Sequence, residues 1–169
     1  LPISLASQFS RWEEPFAVWA EANGYALDYA VNSDLEFRPE LLKNYKLVLS
    51  VGHDEYWSAG MRDQVEAFIG RGGNVAFFSG NTCCWQVRSE AEGRAFTCFK
   101  QNYHLDPVFQ TRDFKTLSTA WSHHLLQRHY TIAAQVVDLA ARGAPRQVQH
   151  DPRRIVGMQK LQRARRIQP

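Results

Sequence analysis

The sequence lacks the common nucleotide signatures. It has no GxGxxG fingerprint and no GxxxxGK[ST] loop, so a nucleotide cofactor is not indicated. Cysteine is scarce: Cys83, Cys84 and Cys98 are an odd and closely spaced set. That argues against a disulfide framework and for a reducing, cytoplasmic setting. No CxxC or His-x-His pair accompanies them, so a zinc site is poorly supported. No apolar run approaches the roughly 18–20 residues of a membrane span, and no signal-peptide pattern opens the chain. Internal repeats and low-complexity stretches are also missing. The chain opens on Leu1 rather than Met, and the expectation is a fragment of a longer protein.

What is present has the size and character of one ordinary domain, 169 residues with 44% hydrophobic and 12% aromatic side chains, enough to bury a core. The net charge of +3 is unevenly divided. Residues 128–169 hold nine basic side chains against Asp138 and Asp151, a surplus of seven, which leaves residues 1–127 at −4. Such asymmetry marks a basic tail for nucleic acid or membrane, or a stretch that does not belong to the fold. The second reading is preferred, with residues 1–127 as an incomplete α/β domain and 128–169 as a divergent basic tail, truncated or frame-shifted. Neither nucleic acid nor membrane is expected as a partner.

Periodicity supports an α/β class. Trp12, Phe16 and Trp19 recur at helical spacing before Gly24, and ALDYAVN (26–32) reads as a short strand. KLVLSVG (46–52) and NVAFFSG (74–80) are nearly continuous apolar runs, as in a parallel sheet covered on both faces. Between them Ser58 is placed to cap a helix over 58–71 with an apolar stripe at Met61, Val65, Phe68 and Ile69. Strands 46–52 and 74–80 should therefore be parallel neighbours in a doubly wound sheet. FTCFK (96–100) suggests a further strand.

Ligands of open parallel sheets sit beyond the carboxyl ends of the strands. Two such ends are visible, Gly52-His53-Asp54-Glu55 and Ser79-Gly80-Asn81-Thr82, and both should face one crevice. His53 and Glu55, two apart, would point to one side of an extended segment. Each residue also has a plain structural reading. Asp54 or Ser58 can cap the next helix, Tyr56 and Trp57 can be packing aromatics, and Asn81 can accept a left-handed turn. Cys83 and Cys84 lack a nucleophile elbow and read as small core or pocket-wall residues. His123-His124 reads as loop polarity.

Three segments in order, VGHDEYWSAGMRDQVEAFI, GGNVAFFSGNTCCWQVR and LSTAWSHHL, resemble the N,N-dimethylformamidase large (beta) subunit-like C-terminal domain family over roughly residues 8–127. The resemblance implies a class I glutamine amidotransferase-like (flavodoxin-like) fold and hydrolysis of small N-substituted amides. It also implies one iron ion held by two tyrosines and a glutamate. By that resemblance Glu55 is the glutamate ligand, His53 the histidine beside it and Asn81 the pocket asparagine. The tyrosine ligands are expected further upstream than this sequence reaches, and neither Tyr25 nor Tyr29, the tyrosines that precede Tyr45, is assigned to them. Hard oxygen ligands suit ferric iron, a Lewis acid for amide hydrolysis. The expected partners are a small amide substrate and other subunits or parts of a parent chain. Two other readings stand beside this one: a non-catalytic amidotransferase-like module that binds a ligand or a subunit, and a cysteine hydrolase using Cys83 or Cys84.

Overall fold

A computed structural model of the protein describes residues 9–126 and the backbone of 155–159. In chain order its elements begin with helix α1 (Glu13–Ala22), strand β1 (Leu27–Val31), helix α2 (Asn32–Phe37) and strand β2 (Leu47–His53). Strand β3 (Tyr56–Ser58), helix α3 (Ala59–Gly70) and strands β4 (Asn74–Gly80), β5 (Trp85–Glu90) and β6 (Ala95–Thr97) follow. Helix α4 (Pro107–Thr111) and strand β7 (Ile155–Gln159) come last. Among the described residues no helix is long and apolar enough to cross a membrane.

The main sheet has the order β1-β7-β2-β4 and is parallel throughout. The two apolar runs pair as expected, from Leu47↔Asn74 to His53↔Gly80, with α3 as the connection between them. Alternation along these strands assigns the two faces. Val48, Val75 and Phe77 join the cluster built by Met61, Val65 and Phe68 of α3, Leu35 of α2 and the buried Trp57. Phe78 points the other way and meets Phe16 of α1, with ring centroids 5.8 Å apart. Helices therefore cover both faces, although α1 leaves Phe78 60% exposed.

Local chemistry explains why α3 starts and stops where it does. Ser58 Oγ accepts the Met61 N–H at 3.1 Å, satisfying one of the unpaired donors of the first turn. At the other end the Gly73 N–H returns to the Phe68 carbonyl at 3.0 Å, a closing bond that needs a left-handed residue before it. Gly72 supplies it at φ +88°, and a Cβ on Gly73 would lie 2.3 Å from the Phe68 ring.

Three features differ from the sequence expectation. Helix α2 has no counterpart in the sequence periodicity, because it buries one apolar side chain, Leu35, too little to make a periodic stripe. The strand expected over 96–100 is shorter: β6 ends at Thr97, and Lys100 at φ 54° departs from extended geometry. Third, β7 comes from the stretch set apart as a basic tail. Its backbone pairs with β1 on one side and β2 on the other. The apolar letters of IVGM are masked in the sequence by the arginines on either side of them. The rest of that tail, 128–154 and 160–169, lies outside the described residues.

A second, smaller sheet carries the edge of the site. Strand β3 pairs parallel with β5, Tyr56 opposite Trp85, and β5 pairs antiparallel with β6. Segment 115–121 lies along β5: the Gln86 N–H donates to the Thr119 carbonyl and the Trp121 N–H to the Cys84 carbonyl. Gln86 Nε2 also donates to the carbonyls of Lys115 and Leu117, each at 2.9 Å. The hub of this region is Asp106, fully buried. It caps α4 through the Val108 N–H, accepts both N–H and O–H of Ser118, and receives Arg88 Nη1 at 3.0 and 3.1 Å. Burial alone would raise its pKa, but the Arg88 and Ser118 hydrogen bonds outweigh that and hold it below the usual aspartate value.

Asp106→Ala should destabilise the fold by about 3 kcal/mol, the cost of stranding a buried partner, read by denaturant melts at neutral pH. The hub also sets an acid dependence. Because the folded pKa is depressed, the stabilisation is present above the unfolded value of about 3.9 and is lost as pH falls through the folded one. Acid melts of the wild type should therefore lose this contribution below about pH 4, while Asp106→Ala shows a shallower acid slope.

Candidate functional site

Strand β2 ends in a turn that only a small residue permits. Gly52 has φ +90°, and a Cβ there would stand 2.7 Å from Glu13 Oε1. Beyond it the backbone stays tied to the loop after β4. The Asp54 N–H donates to the Gly80 carbonyl at 3.2 Å, the Cys83 N–H to the Asp54 carbonyl at 2.8 Å, and the Trp85 N–H to the Glu55 carbonyl at 2.9 Å. Side chains then divide between two directions. Asp54 is buried and accepts hydrogen bonds from Asn32 Nδ2 at 2.8 Å and Ser50 Oγ at 2.6 Å. His53 and Glu55 meet each other instead, Nε2 to Oε2 at 3.0 Å, as their two-residue spacing implies.

Glu55 is the centre of a larger group. Its Oε1 accepts Trp85 Nε1–H at 2.8 Å. Burial pushes its pKa up, but hydrogen bonds from His53 and Trp85 and the Lys100 charge prevail, so the carboxyl lies below its ordinary value and is ionised at neutral pH. Lys100 stands over the rings of Tyr56 and Trp85, 5.0 and 5.3 Å from their centroids. Its Nζ donates to the Tyr56 hydroxyl at 2.7 Å. That hydrogen bond raises the Lys100 pKa; partial burial opposes it, and the attraction of Glu55 adds to it. The result is an anion hydrogen-bonded to the Trp85 indole and a cation over the Trp85 and Tyr56 rings, an arrangement in which cation–π attraction and charge attraction act together.

Of the residues singled out in the sequence, His53 and Glu55 are thus in contact. Asn81 lies at the same end of the sheet, next to the His53↔Gly80 pair. It does adopt a left-handed conformation, φ 51°, its carbonyl accepts the Cys84 N–H, and its side chain is exposed. Ser58 is the helix cap; Asp54 is not. Tyr56, expected to be a packing aromatic, is part of the charged group, whereas Trp57 is core as expected. Trp85 and Lys100 were not legible. Trp85 closes an irregular stretch, and Lys100 stands 44 residues from the tyrosine it touches. Lys100 has a left-handed backbone, which it shares with Cys83, Ala91, Glu92 and Arg112, so conformation alone does not single it out.

Glu55 has the chemistry of one hard oxygen ligand for a metal, an ionised carboxylate at a strand end. Both of its oxygens are already hydrogen-bonded, and among the described residues no three His, Cys, Asp or Glu side chains are grouped to hold an ion. Tyr29, one of the upstream tyrosines, donates its hydroxyl to Glu21 at 2.7 Å. The described residues thus fit an iron ion through Glu55 alone.

The cysteines do not resemble nucleophiles. Burial pushes the Cys83 thiol up to about 12, with Arg62 nearby opposing the shift. Cys84 is raised by burial and then by Glu55, and Cys98 by burial. Thiolate, the reactive form, is disfavoured at all three. In the folded protein at neutral pH, Cys83 should therefore resist alkylation that proceeds readily after denaturation. Fast labelling of native Cys83, seen by mass spectrometry, would restore the cysteine hydrolase.

Comparison with known proteins places the chain more directly. The family described as N,N-dimethylformamidase beta subunit-like, C-terminal, matches residues 3–155, beyond Gln127, where the resemblance seen in the sequence ends. The N,N-dimethylformamidase beta subunit of Alcaligenes sp is 33% identical over 88 residues, covering 49% of this chain and 12% of that protein. The protein of the same name from Paracoccus aminophilus is 32% identical over 88 residues, with the same coverage. The matched stretch is a small part of each relative's length. No solved structure gives a significant match. On the extent of the family match, this chain belongs to the N,N-dimethylformamidase beta subunit-like, C-terminal family.

Proposed function

We propose that the chain carries the Glu55 side of the active site of a hydrolase that cleaves small N-substituted amides. The observation that supports this reading is the ionised Glu55, held between His53 and Trp85 beyond the carboxyl ends of paired parallel strands, in a chain of this family. Its relatives are named N,N-dimethylformamidase beta subunits, which suggests small formamides as substrates and further subunits as partners. The doubly wound, class I glutamine amidotransferase-like arrangement belongs to the same proposal, as does a cytoplasmic location. The all-parallel sheet with helices on both faces is compatible with that arrangement.

An iron ion held in part by Glu55 would supply Lewis-acid polarisation of the amide carbonyl. The chain's own residues have complementary tasks. His53 gives its Nε2–H to the ionised Glu55, which leaves Nδ1 to accept a proton from the attacking water as the water oxygen bonds to the carbonyl carbon. The same proton then goes to the amine nitrogen as the C–N bond breaks, leaving a carboxylic acid and an amine. Asn81, exposed beside His53, donates from its amide to the carbonyl oxygen as negative charge develops there. Lys100, drawn to Glu55 and bonded to Tyr56, keeps the carboxylate anionic and the ring of Tyr56 fixed.

Glu55→Gln tests the proposal, because it preserves shape while removing the anionic ligand. Amine release from N,N-dimethylformamide and iron content by elemental analysis should both fall to near background, with the melting temperature nearly unchanged. His53→Gln should keep the metal and slow turnover by about 10²–10⁴-fold. Full hydrolysis and full metal content in Glu55→Gln would sink the assignment. A wild-type protein with neither metal nor hydrolysis to lose would favour the ligand- or subunit-binding module.

A further inference from the structure

At the carboxyl ends of β2 and β4 runs a chain of partly buried hydrogen bonds that the proposed reaction does not use. Asn32, the residue after β1, donates to Asp54 Oδ1; Ser50, within β2, donates to Asp54 Oδ2. Ser50 Oγ is also 3.3 Å from Ser79 Oγ of β4, which in turn lies 2.7 Å from Thr82 Oγ1 in the following loop. The chain therefore crosses from the end of β1 to the loop after β4, and Asp54 sits where it meets the turn. Strand β7 separates β1 from β2 in the sheet, so the Asn32–Asp54 bond bridges the strands on its two sides.

Asp54 is also fixed through its main chain, by the Gly80 carbonyl on its N–H and the Cys83 N–H on its carbonyl. With these four hydrogen bonds on one residue, only 2% exposed, the peptide units on either side have a set orientation. Those two units carry His53 and Glu55. We infer that Asp54 is the positioning residue of this site: its buried carboxylate, held by Asn32 and Ser50, sets the backbone from which His53 and Glu55 project together toward Trp85. It touches no substrate and acts through its neighbours. This role rests on the hydrolase reading for its purpose, though not for its geometry.

The geometry supplies a readout that works without turnover. The Trp85 indole N–H is bonded to Glu55 Oε1, so its hydrogen exchange reports where the Glu55 carboxylate stands. Exchange is followed by NMR on the whole chain, with the Trp85 signal identified by Trp85→Phe. In Asp54→Ala the Trp85 indole should exchange about tenfold faster, the loss of roughly one buried hydrogen bond. The amides of Val48 and Leu49, in the sheet, should stay within about twofold of wild type. Asp54→Asn, which keeps the side-chain shape and one oxygen acceptor, should restore most of the protection. If Asp54→Ala does not fold, Ser50→Ala carries the test, with about threefold faster indole exchange expected from one weaker bond.

Unchanged indole exchange in the folded variant overturns the inference. So does a rise matched equally by Val48 and Leu49, because that would be general loosening. Amide hydrolysis measured beside it separates the two readings. Faster indole exchange in Asp54→Ala, beside a wild type that hydrolyses nothing, upholds Asp54 and removes the hydrolase. Hydrolysis retained with an unmoved indole does the reverse.

Discussion

Parallel pairing of β2 with β4 is the constraint on which the site depends. Because His53 is opposite Gly80, both chains leave the sheet at the same level and must turn there, side by side. The turn of β2 then keeps bonding to the loop of β4 through Gly80, Cys83 and Trp85, and a third strand, β3, begins beside β5. Residues from 53 to 56 are thus brought against residue 85 by backbone geometry before any side-chain chemistry is considered. A one-residue slip of register would send each side chain to the opposite face, separating Glu55 from Trp85 and exposing Asp54. The hydroxyls of Ser50 and Ser79, 3.3 Å apart on the two strands, favour the observed register, because a slip would part them and leave polar groups to be satisfied elsewhere.

Support for that arrangement comes from a second region with no part in the chemistry. Asp106 and Gln86 hold segment 115–121 along β5, and β5 begins with Trp85. The indole that holds Glu55 therefore stands on a strand clamped from both sides. Arg62 of α3, buried, lies over the Trp121 ring at 4.6 Å and pairs with Glu66, which joins the clamp to the main core.

Legibility in the sequence followed the range of the forces involved. The runs KLVLSVG and NVAFFSG announced buried parallel strands, because a short, continuous apolar run bounded by glycine suits a strand covered on both faces. Ser58 announced a helix start because capping is local. His53 and Glu55 could be paired from their spacing alone, and the contact exists. Trp85 and Lys100 could not be found in this way, since they reach Glu55 and Tyr56 through tertiary structure across 30 and 44 positions. Strand β7 escaped for a different reason. Five residues of backbone pairing leave a weak mark when arginines on both sides dominate the composition of the stretch. Asp54 has the residue type of a helix cap, and its real partners, Asn32 and Ser50, lie on two other elements.

Lys100 shows how stability and chemistry can make opposite demands on one position. Its backbone at φ 54° is a conformation that costs a non-glycine residue on the order of 1 kcal/mol or more. Glycine would adopt it freely, and mutation toward glycine is the change that backbone preference alone would choose. Such a change would also remove the ammonium from above Tyr56 and Trp85 and from the field around Glu55. Selection for a more robust fold and selection for a charged site therefore pull in different directions at this residue. At this position no single side chain satisfies both the backbone preference and the charge.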